Sequence, residues 1–529
     1  MPAERSPFLL KLLPSFSDFA FVMPMAFLFG RMNGTQTLLG DCDTGWHIRT
    51  GEWIAANHAV PRSDIFSYSR AGNPWFAWEW LSDLLFGWLN GHGGLRAVVL
   101  FSVLLLSVTF LLLFRLVRVR SNTLVAILIT ILAAAASGIH WLARPHLFTL
   151  LFLVLFYAAL ERVKRGHTRL GRIPYLAILP FATVLWTNLH GGFFVGVLMI
   201  AAYGAGEALA LILSQKTSAG RSIPAGTMVA GGWGKAGRYF LSAIGCLAAS
   251  LINPYTYRLH VYLTAYLHTS WQHVMEYLSP DFHHPLAIYF ESLLILAAAA
   301  AYWNLSKGRF TEPLLIAMWG HAALLAQRNI PIFAIVAAVP VAASVQEWLD
   351  VLPGLNVAGW LRSAARNFND FVARTGETEQ VGRFHLFSLA ACLLLAAVLW
   401  APNPPKKFRA EFDPNRYPAG ALATLRRDPS ARIFTDDEWG DYLIWSLYPA
   451  HRVFADGRAD FYGEQFMGEM LDVLNVKYNW ENTLARFGVD TVLLPVKAPL
   501  AGALKESGRW RVVFDDGVAL VFRSAGKAA

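Results

Sequence analysis

Residues 94–114 read GLRAVVLFSVLLLSVTFLLLF, a run whose one charge is Arg96. A helix that crosses a bilayer needs about 20 predominantly apolar residues, or about 17 where it tilts or neighbours help. This run meets that length, and others lie on either side of it. They fall at about 16–38, 122–139, 145–161, 173–189, 191–213, 238–252, 285–303, 312–326, 329–346 and 384–402, which gives eleven candidate spans. Arg31, Asn33 and Gln36 interrupt the first, and 238–252 is short, so ten or twelve spans also fit. The N-terminus carries Arg5 and Lys11, but Pro14 and Pro24 break the apolar region, so a cleaved signal peptide is not expected.

Composition points the same way. The chain has 529 residues, 55% hydrophobic and 15% charged, with mean hydropathy +0.40. Soluble domains are nearer about 45–50% apolar and about 25% charged. The 19 Trp and 36 Phe exclude disorder as the main state. Three cysteines, Cys42, Cys246 and Cys392, make no disulfide framework and no zinc pattern. The net charge of +9 has a topological explanation. With the N-terminus in the cytoplasm, the loops on that side hold 20 Lys and Arg and the opposite side holds 8. No nucleic-acid partner is needed. The expected place is a membrane, with the N-terminus cytoplasmic.

The apolar runs stop after residue 402. Pro402, Pro404, Pro405, Lys406 and Lys407 make a stiff, charged junction. The division is then a membrane domain, 1–402, with a large first outer loop at 39–93, and an outer-face domain, 403–529. In the latter RIFTD, HRVFAD, VDTVLLP, WRVVFDD and VALVFRS read as strands, and 417–427, 463–475 and 480–487 as helices. The fold class is an α-helical polytopic membrane protein with a C-terminal soluble α/β domain, periplasmic or extracellular.

Chemistry concentrates on one side of this layout. Eleven of the 15 His lie in or beside outer loops. The first loop opens with Asp41 and Asp43, then His47, Arg49, Glu52 and Trp53 on an expected helix. Trp46, Trp53 and Ile54 share one face of it, suited to lie on the bilayer. A second amphipathic helix is expected at 75–89. Two aspartates in D-x-D spacing can divide roles, one taking a proton from an attacking hydroxyl, the other orienting it or holding a cation. Asp41 can equally cap the helix that follows. Arg144 with His146, Arg258 with His260, and Arg328 with Asn329 sit at outer span ends, where a lipid phosphate headgroup lies; they can equally be interfacial anchors.

The loop DCDTGWHIRTGEWI resembles the opening loop of GT-C superfamily glycosyltransferases, among them protein O-mannosyltransferase-like and aminoarabinose-transferase-like members. PRSDIFSYS, PWFAWEWLSDLLFG, LARPHLF, WTNLHGGFF, NPYTYRLH, EYLSPDF and RNIPIF resemble a bacterial GT-C-like group. The resemblance covers about residues 16–346. It implies inverting transfer of a sugar from a polyprenyl-phosphate donor to a lipid, glycan or protein acceptor. Asp43 is then expected as base and Asp41 as its partner, with a divalent cation, Mg or Mn, between them left open. Arg144, His146, Arg328 and Arg258 are expected at the donor phosphate. His47, Glu79, Trp80, His190, Tyr255 and Glu276 are the expected substrate contacts. The spacing here is D-x-D rather than two adjacent acids, so the base is not fixed by the motif. Two other readings stand beside this one: a transporter or flippase of a lipid-linked or small polar substrate, and a non-catalytic assembly protein of the same architecture.

Overall fold

The computed structural model describes residues 8–218, 232–268, 274–354, 358–379 and 382–526. Each of the eleven apolar stretches is helical. Among the described residues seven helices are long and apolar enough to cross a membrane. They are Leu10–Arg31, Trp80–Arg118, Thr123–His140, His146–Lys164, Phe193–Ser214, Ala287–Ser306 and Gln327–Gly354. The other four stretches form helices that fall short in length or apolar content, such as Tyr175–Leu189 and Leu386–Leu399.

Local chemistry sets the ends of these helices. Ser15 and Asp18 form a reciprocal capping box at the first. That helix stops short of the expected residue 38. Pro24 lies inside it, Phe27–Arg31 widens to a π-turn, and Gly34 adopts a φ of 61°. Asn122 caps Thr123–Ser137 by accepting from the Val125 N–H at 2.9 Å.

The first loop departs from expectation in two ways. Its second helix begins only at Trp80 and, as expected, is separate from the next span: within Trp80–Arg118 the two are divided by Gly94 (φ 65°, ψ −165°), a non-helical conformation open to glycine. Residues 75–79 precede it and are not helical. The other first-loop helix, Asp43–Asn57, lies against Trp80–Arg118 rather than on a bilayer. Trp46 and Ile54 are buried in the protein. Glycines allow this approach: a Cβ on Gly51 would stand 1.8 Å from the Asp83 carbonyl oxygen, and one on Gly87 2.8 Å from the Glu52 nitrogen.

The C-terminal region carries a four-stranded sheet, β1 (Ile433–Phe434), β2 (Thr491–Pro495), β3 (Trp510–Asp515) and β4 (Ala519–Ser524), in the order β1-β2-β4-β3. β1 and β2 are parallel and the other pairs antiparallel. Helices Asp437–Leu447, Glu464–Leu474, Trp480–Arg486 and Pro499–Glu506 surround it. The expected strand HRVFAD does not extend the sheet. Val453 makes single bridges to Ile433 and to Ser67 of the first loop. Its N–H donates to the Phe66 carbonyl at 3.0 Å, and its carbonyl accepts from Tyr68 at 2.9 Å. The expected helix at 417–427 shrinks to Leu422–Leu425 after a 3-10 turn, and Pro499–Glu506 was not foreseen.

Arg458 locks the two regions together. It is 3% exposed and pairs with Asp456 and with Asp64 of the first loop, both at 2.7 Å. The rings of Phe66, Trp75 and Phe461 lie within 5.0 Å of its guanidinium.

Candidate active site

One guanidinium gathers the acids. Arg144 stands between the turn Gly138–His140 and the helix from His146. Its neighbour Ala143 is pinned to the first loop: its N–H donates to the Leu38 carbonyl at 2.7 Å, and its carbonyl accepts from the Thr44 hydroxyl at 3.0 Å. The Arg144 side chain reaches Asp41 at 3.0 Å, Asp43 at 2.6 Å and Glu276 at 3.4 Å. Glu276 also pairs with Arg328 at 3.0 Å and faces His140 at 3.6 Å. Its turn, Met275–Tyr277, is tied to the Arg328 segment by Gln327, which donates to the Met275 and Leu278 carbonyls. Arg328 further donates to the Tyr266 hydroxyl at 3.0 Å and lies 4.4 Å over the Tyr277 ring.

The two aspartates differ. Asp43 gives Oδ2 to Arg144, while its Oδ1 meets the C-terminal region. A Cβ on Gly457 would stand 2.5 Å from Asp43 Oδ1 and 2.6 Å from Asp441 Oδ2. The Asp43 and Asp441 carboxyls hydrogen-bond to each other, and Asp441 also accepts from the Gly457 N–H at 3.0 Å. Burial, then the charge on Asp43, pushes Asp441 well above the usual carboxylate range. Asp41 gives only Oδ2 to Arg144, and its Oδ1 is buried with no hydrogen-bond partner. It does not cap the next helix, whose N-cap is Cys42. Burial pushes the Asp41 carboxyl up to about 7; Arg144 opposes this, and Asp43 and Glu276 add to it. Burial would raise Glu276 too, but Arg328 and Arg144 hold it down at about 2.

A second layer backs this centre. His47 Nδ1 lies 2.6 Å from Asp83 and its Nε2 faces Glu79 at 3.6 Å. His190 Nε2 lies 3.2 Å from the other Glu79 oxygen. The Gly192 N–H donates to His190 Nδ1 at 2.9 Å, so the neutral ring carries its proton on Nε2 and donates it to Glu79. Burial lowers His190 to about 3 and raises Glu79 to about 8, with Arg144 opposing the rise. Burial thus favours the uncharged form of the Glu79 carboxyl.

Of the expected contacts, Asp41, Asp43, Arg144, Arg328 and Glu276 form one cluster, with His47, Glu79 and His190 behind it. Trp80 donates its indole N–H to Asn188 at 2.7 Å. Tyr255 bridges the first loop, accepting from Ala77 N–H and donating to the Pro61 carbonyl. His146 faces the His140 carbonyl at 3.1 Å rather than Arg144. Arg258 lines a separate cleft with Arg62. Sequence reasoning gave no site role to His140, Asp83, Asp441 or Gly457, although Asp83 lies in PWFAWEWLSDLLFG, a segment that carries the resemblance. Arg144 holds Oδ2 of both Asp41 and Asp43, which leaves Asp41 Oδ1 as the unpartnered oxygen of the pair. Among the described residues no three His, Cys, Asp or Glu are grouped to hold a metal.

No family model and no curated protein matches the chain. Solved structures do. The apo oligosaccharyltransferase of Archaeoglobus fulgidus superposes with TM-score 0.53 at 14% identity, covering 91% of this chain and 69% of that one. The A. fulgidus oligosaccharyltransferase AglB, in complex with an inhibitory peptide and a dolichol-phosphate, gives 0.52 at 14% identity, covering 97% and 74%. The chain shares its fold with those archaeal oligosaccharyltransferases.

Proposed function

We propose that the protein is an inverting membrane glycosyltransferase, moving a sugar from a polyprenyl-phosphate donor to a lipid, glycan or protein acceptor. The site would lie on the outer face of a bacterial inner membrane, covered by residues 403–529 as an outer domain. The observation that carries the reading is the convergence of Arg144 and Arg328 on one carboxylate, Glu276, beside the Asp41–Asp43 pair. Two guanidiniums aimed at one oxyanion are what a leaving phosphate requires. Glu276 holds the anion position, and donor phosphate would take it over. The dolichol-phosphate bound by the archaeal AglB supports a lipid-phosphate ligand for this fold.

Asp41 suits the base better than Asp43 does. Its Oδ1 is free of hydrogen bonds, and its pKa of about 7 matches a base working at neutral pH. The acceptor oxygen attacks the anomeric carbon, its proton passes to Asp41 Oδ1, and the sugar–phosphate bond breaks. Polyprenyl phosphate then leaves with the electron pair, its charge met by Arg144 and Arg328. Asp43 is a positioning residue, holding Arg144 and docking the C-terminal region through Asp441. In its uncharged form Glu79, with His47 and His190 behind it, offers a hydrogen-bonding edge to a sugar hydroxyl.

The test uses purified protein in lipid nanodiscs with a panel of polyprenyl-phosphate sugars and an envelope lipid and glycan extract. Release of free polyprenyl phosphate is read for wild type, Asp41→Asn and Asp43→Asn. Release abolished by Asp41→Asn, with the acid limb of any remaining Asp43→Asn activity moved to lower pH, supports both assignments. No release with any donor, from folded protein, overturns the transferase reading.

A further inference from the structure

The strands of chain around NPYTYRLH and PRSDIF, which the transfer site does not use, enclose a cleft of about 460 Å3. Its walls include Arg62, Trp75, Phe76, Thr256, Tyr257 and Arg258. Other arginines near the transfer site, Arg144, Arg328 and Arg458, are held by carboxylates. These two are not. Arg62 donates only to the Pro254 carbonyl, at 3.3 Å, and among the described residues no carboxylate pairs with either guanidinium. Both side chains are exposed.

The cleft is pre-formed. The Tyr255 hydroxyl joins its two sides, accepting from Ala77 N–H at 2.9 Å and donating to the Pro61 carbonyl at 2.8 Å. Phe76 lies 4.8 Å from the Tyr255 ring and 4.9 Å from Tyr262. Thr256 sits at a φ of 52°, rare for a β-branched residue, and its carbonyl accepts from the Asn253 side chain. Beside Arg258 runs an exposed apolar strip: Ile252 is 62%, Tyr257 61% and Val261 64% exposed. Tyr257 and Val261 are four residues apart on one helix, so they share a face. Two free cations above an exposed apolar strip match a phosphate headgroup above its acyl chains.

We propose that this cleft is an anionic-lipid site, taking the phosphate of a membrane phospholipid between Arg62 and Arg258, with the chains against Ile252, Tyr257 and Val261. It lies behind the wall of the transfer site. Trp78 packs on Tyr262 and on Tyr266, and Tyr266 accepts from Arg328. Lipid binding there needs no turnover, so its test stands apart from the transferase reading.

The experiment is native mass spectrometry of the delipidated full chain in neutral detergent, titrated with phosphatidylglycerol. Arg62→Gln with Arg258→Gln weakens the tightest phosphatidylglycerol by about 30-fold, from roughly tenfold or less per arginine. Arg96→Gln leaves it unchanged, and Val261→Asp weakens it with both arginines intact. Equal affinity in the double variant and wild type overturns the site. Displacement by inorganic phosphate as readily as by the lipid overturns the lipid as its source. Both arginines are exposed, and a thermal unfolding curve of each variant confirms that lost binding is not lost folding.

Discussion

Asp41 and Asp43 are two residues apart yet have different chemistry, because their second oxygens face different neighbours. Asp41 keeps one oxygen unpartnered, and burial lifts its pKa to about 7. An Asp41→Asn change therefore lowers kcat by about 10²–10⁴-fold with donor binding retained, measured by polyprenyl phosphate release and by donor titration. The sign of the pH effect follows. As the proposed base, Asp41 works when ionised, so kcat/KM rises with pH through an acid limb centred near 7. The negative charge of Glu276 helps hold the proton on Asp41. Glu276→Gln therefore moves the limb to lower pH; an unmoved limb would remove Asp41 as the titrating group.

At the scale of elements, the close crossing of Asp43–Asn57 and Trp80–Arg118 decides where the acids point. Gly51 and Gly87 put backbone against backbone, and this contact lets His47 reach Asp83 at 2.6 Å. Gly51→Ala forces the helices apart. It costs about 1–3 kcal/mol of stability, read from thermal unfolding in detergent, and lowers activity by displacing Asp43. The sequence showed the helix after Asp43 but placed its Trp46–Ile54 face on a bilayer. Amphipathic spacing gives the apolar face, whereas the element it packs on is a matter of tertiary contact. The division at Gly94 was legible, because the amphipathic stretch and the apolar run after it differ in pattern and the glycine between them takes a non-helical conformation.

For the molecule as a whole, the C-terminal region completes the site instead of hanging beside it. Asp441 meets Asp43, and Arg458 reaches Asp64 in the first loop. Arg458→Ala leaves Asp456 and Asp64 buried without their cation and destabilises the fold by about 3–5 kcal/mol. Protease accessibility near residue 402, followed together with the unfolding midpoint, checks it: cleavage rises and the midpoint falls if Arg458 is the tie. In the sequence, Asp456, Arg458 and Asp460 are dense charges after an expected strand, which fit an acceptor or donor contact and a strand-end turn alike. Asp64, the second partner of Arg458, and Tyr262, the partner of Asp460, lie far earlier in the chain, so no local pattern could mark those contacts.

The sequence by itself determined the class of the molecule. Apolar runs of spanning length, the Lys and Arg asymmetry and the acid pair behind the first run are local and periodic properties, readable without coordinates. It also named most of the central cluster, Asp41, Asp43, Arg144, Arg328 and Glu276, since charges at the ends of apolar helices stand out. Only the tertiary structure decided how they divide the work. It set Glu276 between two arginines, left one Asp41 oxygen free, turned Arg258 into another cleft and brought Asp441 onto Asp43. Those outcomes depend on contacts between segments far apart in the chain, whose geometry is fixed by packing and burial together, and burial is what turns a residue's charge into its chemistry.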